Sequence, residues 1–147
     1  MATQSATVHA SAVLTGARAV LIRGPAGAGK SALALALVHA AQSHLLPFAR
    51  LVGDDRVHLE ARHGRLLVRP AATLEGLIEI RGLGIRRLVH EPVAVVGLVV
   101  DLTLAQADRL PAPADREVVI SGIRLPRLAV ASEPLPCVLA VLRSTAA

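Results

Sequence analysis

The sequence predicts an α/β domain in which strands outnumber helices, and three observations lead to this prediction. Its 147 residues fit a single domain. Short apolar or alternating runs, typical of strands, recur along the whole chain, whereas only residues 31–44 read as a long helix. A glycine-rich loop joins an apolar strand to this helix, which is the strand–loop–helix order of α/β proteins. A fold in which helices alternate with parallel strands throughout would show a helical segment after most of the strands, and this sequence does not.

The first third of the chain contains the elements around the glycine-rich loop. Residues 7–14 and 19–23 are β-prone runs separated by a turn at Gly16 and Ala17. The helix that follows the loop is apolar on almost every side, so we expect it to be buried, and Pro47 ends it.

The rest of the chain is predicted to be mainly strands. Residues 49–53 read as a buried strand that leads to two acids, and two alternating runs flank His63 and Gly64 as in a β-hairpin. An apolar segment at residues 137–142 has no assignable type. The further predicted strands are residues 56–61, 65–69, 77–81, 94–103, 117–120 and 128–131, with a turn or short helix at 70–76 and a polar connection at 104–114.

Composition excludes several classes of protein. The net charge of +5 is basic, but Phe48 is the only aromatic residue, so nucleic-acid binding by base stacking is a poor fit. Phosphorylated small molecules or an acidic patch on a partner fit better. One cysteine permits no intrachain disulfide, and no run of about 18 apolar residues or secretion signal is present. We therefore expect a soluble, cytoplasmic, single-domain protein with no membrane or nucleic-acid partner.

The glycine-rich loop matches the phosphate-binding pattern G-x-x-x-x-G-K-[ST] in full. Backbone N–H groups of such a loop turn inward around a phosphate, and the helix N-terminus adds partial positive charge. We expect the lysine to reach the β- and γ-phosphates and the serine hydroxyl to hold Mg²⁺. The eight residues are Gly24, Pro25, Ala26, Gly27, Ala28, Gly29, Lys30 and Ser31.

The acid pair Asp54–Asp55 is the next candidate, because it follows a buried strand that should end near the loop. One carboxylate could bind the metal or its water, and the other could accept a proton from an incoming hydroxyl. A structural alternative stays open, since Gly53, Asp54 and Asp55 are also typical β-turn residues.

Two further places carry weaker candidates. Glu79 is followed by Arg81, Gly82 and Gly84, where the glycines could close over a ligand, although a solvated strand face explains the glutamate as well. His9 is a further candidate, although a lone histidine in a β-prone run is usually structural or solvated. The other histidines lack metal-ligand spacing and are read as surface or helix-end residues, and the single cysteine is read as a core residue.

Taken together, these features resemble the catalytic domain of HPr kinase/phosphorylase, the bacterial serine kinase that modifies the phosphocarrier HPr. The resemblance covers nearly the whole chain, and the Asp-Asp-Arg-Val and Glu-Ile-Arg-Gly-Leu-Gly-Ile segments are more specific than the phosphate loop. The chain is similar to the short, catalytic-domain-only form of alphaproteobacteria, which has no N-terminal regulatory domain. The matching segments are Val8-His9-Ala10, the loop 24–31, residues 52–57, residues 79–85 and Asp108-Arg109-Leu110.

The resemblance implies a fold, cofactors, partners and residue roles. The fold is a strand-rich, P-loop-containing core related to phosphoenolpyruvate carboxykinase, the cofactors are ATP and Mg²⁺, and the partners are an HPr-like phosphocarrier and further copies in a hexamer. Asp55 is implied as the general base, and Lys30 as the phosphate binder. Ser31 and Glu79 are implied as Mg²⁺ ligands, and His9 and Arg109 as catalytic-site residues, with His9 tuning the Asp55 side.

The resemblance has one departure. Long family members carry an Arg-Pro-Gly-Arg-Asn loop linked to phosphorolysis of phosphoserine-HPr, whereas residues 131–136 here contain neither arginine nor asparagine. The resemblance therefore does not extend to the phosphorylase activity. Two alternatives stay open beside the HPr kinase: a small-molecule P-loop kinase, and a non-catalytic module that binds ATP and reports it to a partner.

Overall fold

A computed structural model describes residues 6–103 and 112–144 of the chain. Strands dominate these residues, as the sequence predicts, and the α/β fold class is confirmed. The strands are β1 (Thr7–His9), β2 (Ser11–Thr15), β3 (Arg18–Arg23), β4 (Ala49–Gly53), β5 (Arg56–Arg62), β6 (Arg65–Pro70), β7 (Leu77–Ile80), β8 (Gly84–Arg87), β9 (Ala94–Leu102), β10 (Glu117–Ile120) and β11 (Ile123–Val130). The helices are α1 (Lys30–Gln42) and α2 (Pro134–Arg143), and short 3₁₀ turns span Ala72–Leu74 and Pro113–Arg116.

The main sheet is mixed, and β9 lies at its centre. In order across the sheet its strands are β1, β5, β6, β9, β3, β2 and β4, with β11 also paired to β9 and β10 paired to β11. β9 runs parallel to β3 and to β11 and antiparallel to β6. The carboxyl ends of three parallel strands therefore meet beside the glycine-rich loop, which is where α/β folds place ligands.

The two faces of this sheet carry two separate apolar clusters. Val20 and Ile22 of β3 face α1 and α2, whereas Ala19 and Leu21 of the same strand pack against β5 and β6. A strand buried on both faces is apolar at every position, which explains the continuous hydrophobic runs of β3 and β9. The loop that follows β3 is therefore attached to a strand that is packed on both of its faces.

Most predicted elements are confirmed, with shifted boundaries. The β5–β6 hairpin turns at His63 and Gly64 as expected, and β3, β4, β7, β9 and β10 lie where the sequence predicts strands. The run at 7–14 forms two strands, because β1 pairs with β5 whereas β2 pairs with β3 and β4. β8 was not predicted, since all four of its residues are exposed and give no apolar alternation.

Three predictions about burial and extent are wrong. α1 is buried on one face only, and His39 and Gln42 on the other side are exposed. β11 begins before the predicted strand and contains Pro126, which is tolerated because it precedes the residues that pair with β9. Cys137 is exposed rather than in the core, because the apolar stripe of α2 runs through Leu135, Val138, Leu139 and Leu142 instead.

Among the described residues, neither helix is long and apolar enough to cross a membrane.

Candidate active site

The glycine-rich loop connects β3 to α1 and lies tightly against the end of β9. A Cβ atom on Gly24 would come within 2.9 Å of the carbonyl oxygen of Leu102, a distance that real side chains essentially never show. Gly29, which caps α1, has a φ of 98°, in the left-handed region that favours glycine. The first and last glycines of the motif are therefore required for two different reasons, close approach to a strand and backbone conformation.

Lys30 begins α1 and bends back across the loop. Its ammonium Nζ donates hydrogen bonds to the carbonyl oxygens of Gly24 at 2.8 Å and Pro25 at 3.1 Å. These acceptors belong to the loop itself, so the only lysine of the chain lies over the concave backbone that would surround a phosphate. The N-terminus of α1 contributes its free N–H groups and dipole at the same place.

Asp54 is the buried centre of the site. It is 3% exposed and follows β4 directly. The Ser31 hydroxyl lies 2.8 Å from both of its carboxylate oxygens, and the Ser11 hydroxyl donates to Oδ1 at 2.6 Å. The backbone N–H of Glu79 donates to Oδ2 at 3.4 Å. All these donors are neutral, so the negative charge of Asp54 is hydrogen-bonded but has no cation among these contacts.

This donor set suits Mg²⁺. A buried carboxylate supported by neutral donors alone is costly unless a cation neutralises it. Mg²⁺ prefers oxygen ligands and is commonly held by one or two protein groups together with nucleotide phosphates and water. In the part of the chain that the structure describes, no three His, Cys, Asp or Glu side chains converge as a metal cage, so the fit rests on Ser31 and Asp54.

Asp55 differs from its neighbour in exposure and in backbone conformation. Its side chain is exposed, and its φ is 68°. A hydrogen bond of 2.8 Å from the Arg56 N–H to the Asp54 carbonyl closes a three-residue turn around it. Aspartate is one of the few residues besides glycine that tolerates a positive φ, and such conformations cluster at functional sites. The chain does turn at the acid pair, but through this three-residue γ-turn and not through the expected β-turn, and it presents Asp55 to solvent while Asp54 is buried.

His9 lies on the neighbouring strand. It pairs with Arg56 across β1 and β5, and the Ala10 N–H donates to the Asp55 carbonyl at 3.2 Å. The His9 side chain is exposed. The backbones of the His9 and Asp55 segments are therefore held together, as expected if both serve one site.

The β7–β8 hairpin reaches the site through Glu79. Its backbone contacts Asp54, whereas its side chain is exposed. Arg81, Gly82 and Gly84 form or border the exposed turn, where the two glycines have φ values of 82° and 99°. Among Glu79, Arg81, Gly82 and Gly84, only Glu79 has a hydrogen bond to the acid pair. The remaining candidate, Arg109, lies outside the described residues.

A second charged cluster lies at the other end of the loop. Asp101 of β9 accepts two hydrogen bonds of 2.8 Å from Arg23, the residue before Gly24, and one of 2.5 Å from Arg127 of β11. Burial raises the pKa of the Asp101 carboxyl, but the hydrogen bonds and charges of the two arginines outweigh this, so its pKa lies below the ordinary value. The hydrogen bond to Asp101 raises the pKa of Arg23 further. This ion cluster connects β3, β9 and β11.

Sequence reasoning missed Ser11, Arg23, Asp101 and Arg127. Each acts through a partner at least 26 residues away along the chain, so local spacing gives no signal for the contact. A serine and an aspartate inside otherwise apolar strands were visible signals, because buried polar groups need partners.

The comparisons with known proteins point to one family. The family model described as the HPr Serine kinase C-terminal domain matches residues 1–91, more than half of the chain. An HPr kinase/phosphorylase from Geobacillus thermodenitrificans is 38% identical over 127 residues, which cover 78% of this chain and 38% of that protein. One from Mycoplasma mycoides subsp. mycoides is 38% identical over 85 residues, covering 58% of this chain and 25% of that protein. The chain thus spans well under half the length of these relatives.

A solved structure matches over nearly the whole chain. The Hpr(Ser) kinase/phosphatase from Coxiella burnetii matches with a TM-score of 0.76 and 26% identity over 95% of both chains. The strand-rich fold expected from the resemblance is therefore confirmed. The chain belongs to the HPr serine kinase C-terminal domain family.

Proposed function

We propose that this chain is an ATP-dependent protein-serine kinase that phosphorylates an HPr-like phosphocarrier. Family membership supports the reaction and the partner, since the relatives are named HPr kinase/phosphorylase. The observation that carries the proposal is the position of the Ser31 hydroxyl, 2.8 Å from buried Asp54 and directly after the loop lysine. A phosphate-binding loop with a metal-binding hydroxyl and a neighbouring carboxylate is what phosphoryl transfer needs.

In this proposal the loop binds the phosphate chain of ATP. The backbone N–H groups of the loop, which every residue from 24 to 31 except Pro25 has, contact the phosphates together with the α1 N-terminus. Lys30 exchanges its hydrogen bonds to Gly24 and Pro25 for phosphate oxygens. Ser31 and Asp54 would hold Mg²⁺ directly or through water, with Glu79 as a further ligand. Bound Mg²⁺ neutralises charge on the β- and γ-phosphates.

Asp55 would be the general base. The carrier's serine oxygen forms a bond to the γ-phosphorus, the bond from that phosphorus to the β–γ bridging oxygen breaks, and ADP leaves. Asp55 accepts the serine proton, a role that its exposed side chain permits and that buried Asp54 is less suited to. His9, whose strand is held against the Asp55 turn, and Arg109 are proposed as further catalytic-site residues.

The proposal does not extend to phosphorolysis. The stretch 131–136, which replaces the Arg-Pro-Gly-Arg-Asn loop, forms a turn and the first residues of α2. It offers no arginine to bind an incoming phosphate.

The test is to mix the purified chain with HPr, Mg²⁺ and ATP and to look for phosphoserine by mass spectrometry. Two matched controls are an HPr whose accepting serine is replaced by alanine and the Lys30→Ala variant of this chain, and neither should give product. A parallel panel of small hydroxylated metabolites with radiolabelled ATP tests the alternative substrate class. Transfer to a metabolite but not to HPr would reject the proposal, and ATP binding without any transfer would favour the non-catalytic sensor.

A further inference from the structure

We infer that Ser11 is a positioning residue that holds the Asp54 carboxylate toward the phosphate loop and thereby sets the Mg²⁺ requirement of ATP binding. This inference rests on the proposed kinase function. Ser11 is 0% exposed and lies on β2, in the interior of the main sheet. Its hydroxyl donates to Asp54 Oδ1 at 2.6 Å, the shortest of the hydrogen bonds that Asp54 accepts.

An irregularity in the sheet brings the two residues together. Val13 of β2 pairs with Leu51 of β4, but Ala12 pairs with Gly53, so β4 has one extra residue at this point. Continuing this register places Asp54 opposite Ser11. In an antiparallel pair, residues directly opposite each other have their side chains on the same face.

The bulge also decides which face Asp54 occupies. Leu51 packs on the helix side of the sheet, whereas Val52 packs on the opposite side. Uninterrupted alternation would place Asp54 with Val52, away from α1. The extra residue reverses the alternation, and Asp54 instead reaches Ser31 on α1. β-bulges next to active sites commonly redirect one side chain in this way.

Ser11 holds the Asp54 carboxylate on the helix side of the sheet. Its face of β2 is the helix side, because Val13, two residues further along, belongs to the helix-side cluster. A hydroxyl that donates to Oδ1 restricts rotation of the carboxylate, so that both of its oxygens stay within 2.8 Å of the Ser31 hydroxyl while Oδ2 accepts from the Glu79 N–H. Side chains that orient a metal-binding group from behind typically contribute about 10- to 100-fold to metal affinity.

The experiment compares Ser11→Thr with Ser11→Val, which have the same shape and differ by a hydroxyl and a methyl group. ATP binding is measured by calorimetry over a series of Mg²⁺ concentrations, so that the readout does not depend on turnover. We expect Ser11→Val to need about 10- to 100-fold more Mg²⁺ than Ser11→Thr for half-maximal binding. Binding at saturating Mg²⁺ should recover, because the loop and Lys30 are intact.

Two further variants separate positioning from folding. The first compares Ser11→Ala with wild type, which removes the hydroxyl without adding bulk. If Ser11→Val does not fold, this pair alone tests whether the hydroxyl sets the Mg²⁺ requirement. Thr15→Val removes a hydroxyl from the same strand, one that donates to the Arg18 carbonyl at 3.2 Å, and it should leave the Mg²⁺ requirement unchanged.

The outcomes distinguish this inference from the proposed function. If wild type binds ATP with Mg²⁺ and the hydroxyl-free variants need no more Mg²⁺ than their hydroxyl-bearing partners, the role of Ser11 is rejected and the kinase proposal stands. If wild type shows no Mg²⁺-dependent ATP binding, the proposed function fails, and this inference fails with it.

Discussion

Two carboxylates hold the two ends of the phosphate loop, and their surroundings differ. Asp101 binds Arg23, the residue before the loop, and Asp54 binds Ser31, its last residue. Both carboxylates are largely removed from solvent, with the Asp101 side chain 14% exposed and Asp54 3% exposed. The loop is therefore fastened on one side to β9 and on the other side to the end of β4.

The difference lies in charge. Asp101 is neutralised by two guanidinium groups, whereas Asp54 accepts from two hydroxyls and a backbone N–H. A carboxylate with cationic partners within the protein can serve as a structural anchor. A buried carboxylate that has only neutral donors has no cationic partner within these contacts, which suits a cation that arrives with the nucleotide. From this comparison we propose that Asp101 stabilises the fold and that Asp54 takes part in the chemistry.

The largest effect is expected next to Asp54, at Asp55. Asp55→Asn keeps the size of the side chain and its tolerance of a positive φ but cannot accept a proton. Since a placed base contributes about 10²–10⁴-fold, the single-turnover transfer rate should fall by that factor while ATP affinity changes little. Rates and affinities are measured on the same preparations.

A structural role for the acid pair predicts another result for Asp55. If both acids only shape the turn, Asp55→Asn and Asp54→Asn would lose stability together and lose activity in proportion to the unfolded fraction. Equal, small losses at both positions would reject the general-base role.

The second effect is expected at Asp54 itself. Asp54→Asn removes the charge but leaves an oxygen that can still accept from Ser11 and Ser31. The Mg²⁺ concentration needed for half-maximal ATP binding should rise about 10- to 100-fold or more. Calorimetric titrations at several Mg²⁺ concentrations measure this shift. Asp101→Asn is the matched variant at the other end of the loop, and an equal Mg²⁺ shift there would break the comparison between the two carboxylates.

The sequence predicted the position of the loop better than the contacts that hold the loop in place. The motif 24–31, the strand before it and the Asp54–Asp55 pair were all found by local pattern, because loops and turns require particular residues at fixed spacing. The separate environments of the two acids were not predicted. They depend on the bulge in β4, which no composition signal marked.

The ion cluster around Asp101 could not be predicted from local sequence pattern either. Arg23 and Asp101 are 78 residues apart, and their contact follows from the parallel pairing of β3 with β9. Parallel pairing joins segments that are distant along the chain, so it cannot be read from spacing. The arginines were also hard to single out, because fifteen of the sixteen basic residues are arginine.

A third, smaller effect is expected from Asp101→Asn on stability. Each hydrogen bond between charged groups contributes about 1.5–3 kcal/mol when fully buried. The Arg23 side chain is 34% exposed and partly screened, so we expect a loss of about 1–2 kcal/mol in the free energy of unfolding in urea. Glu117→Gln, which breaks an exposed pair with Arg124, is the matched control and should leave stability unchanged. If the Asp101→Asn variant has the same free energy of unfolding as wild type, Asp101 is not a structural anchor.

The smallest effect is the pH dependence of that stability difference, and its sign follows from the lowered pKa of Asp101. In the unfolded chain the carboxyl titrates at its ordinary pKa of about 3.9, whereas in the folded protein it stays charged to lower pH. The stabilisation is therefore complete above about pH 5 and is lost as the pH falls through the folded pKa. Urea unfolding of wild type and Asp101→Asn at pH 7, 5, 4 and 3 measures the difference directly, and the carboxylates that both proteins share largely cancel. The difference should be constant between pH 7 and 5 and should shrink below pH 4. If it grows with acidification, or is unchanged at pH 3, the two arginines do not hold the charged form of Asp101, and the contrast with Asp54 loses its physical basis.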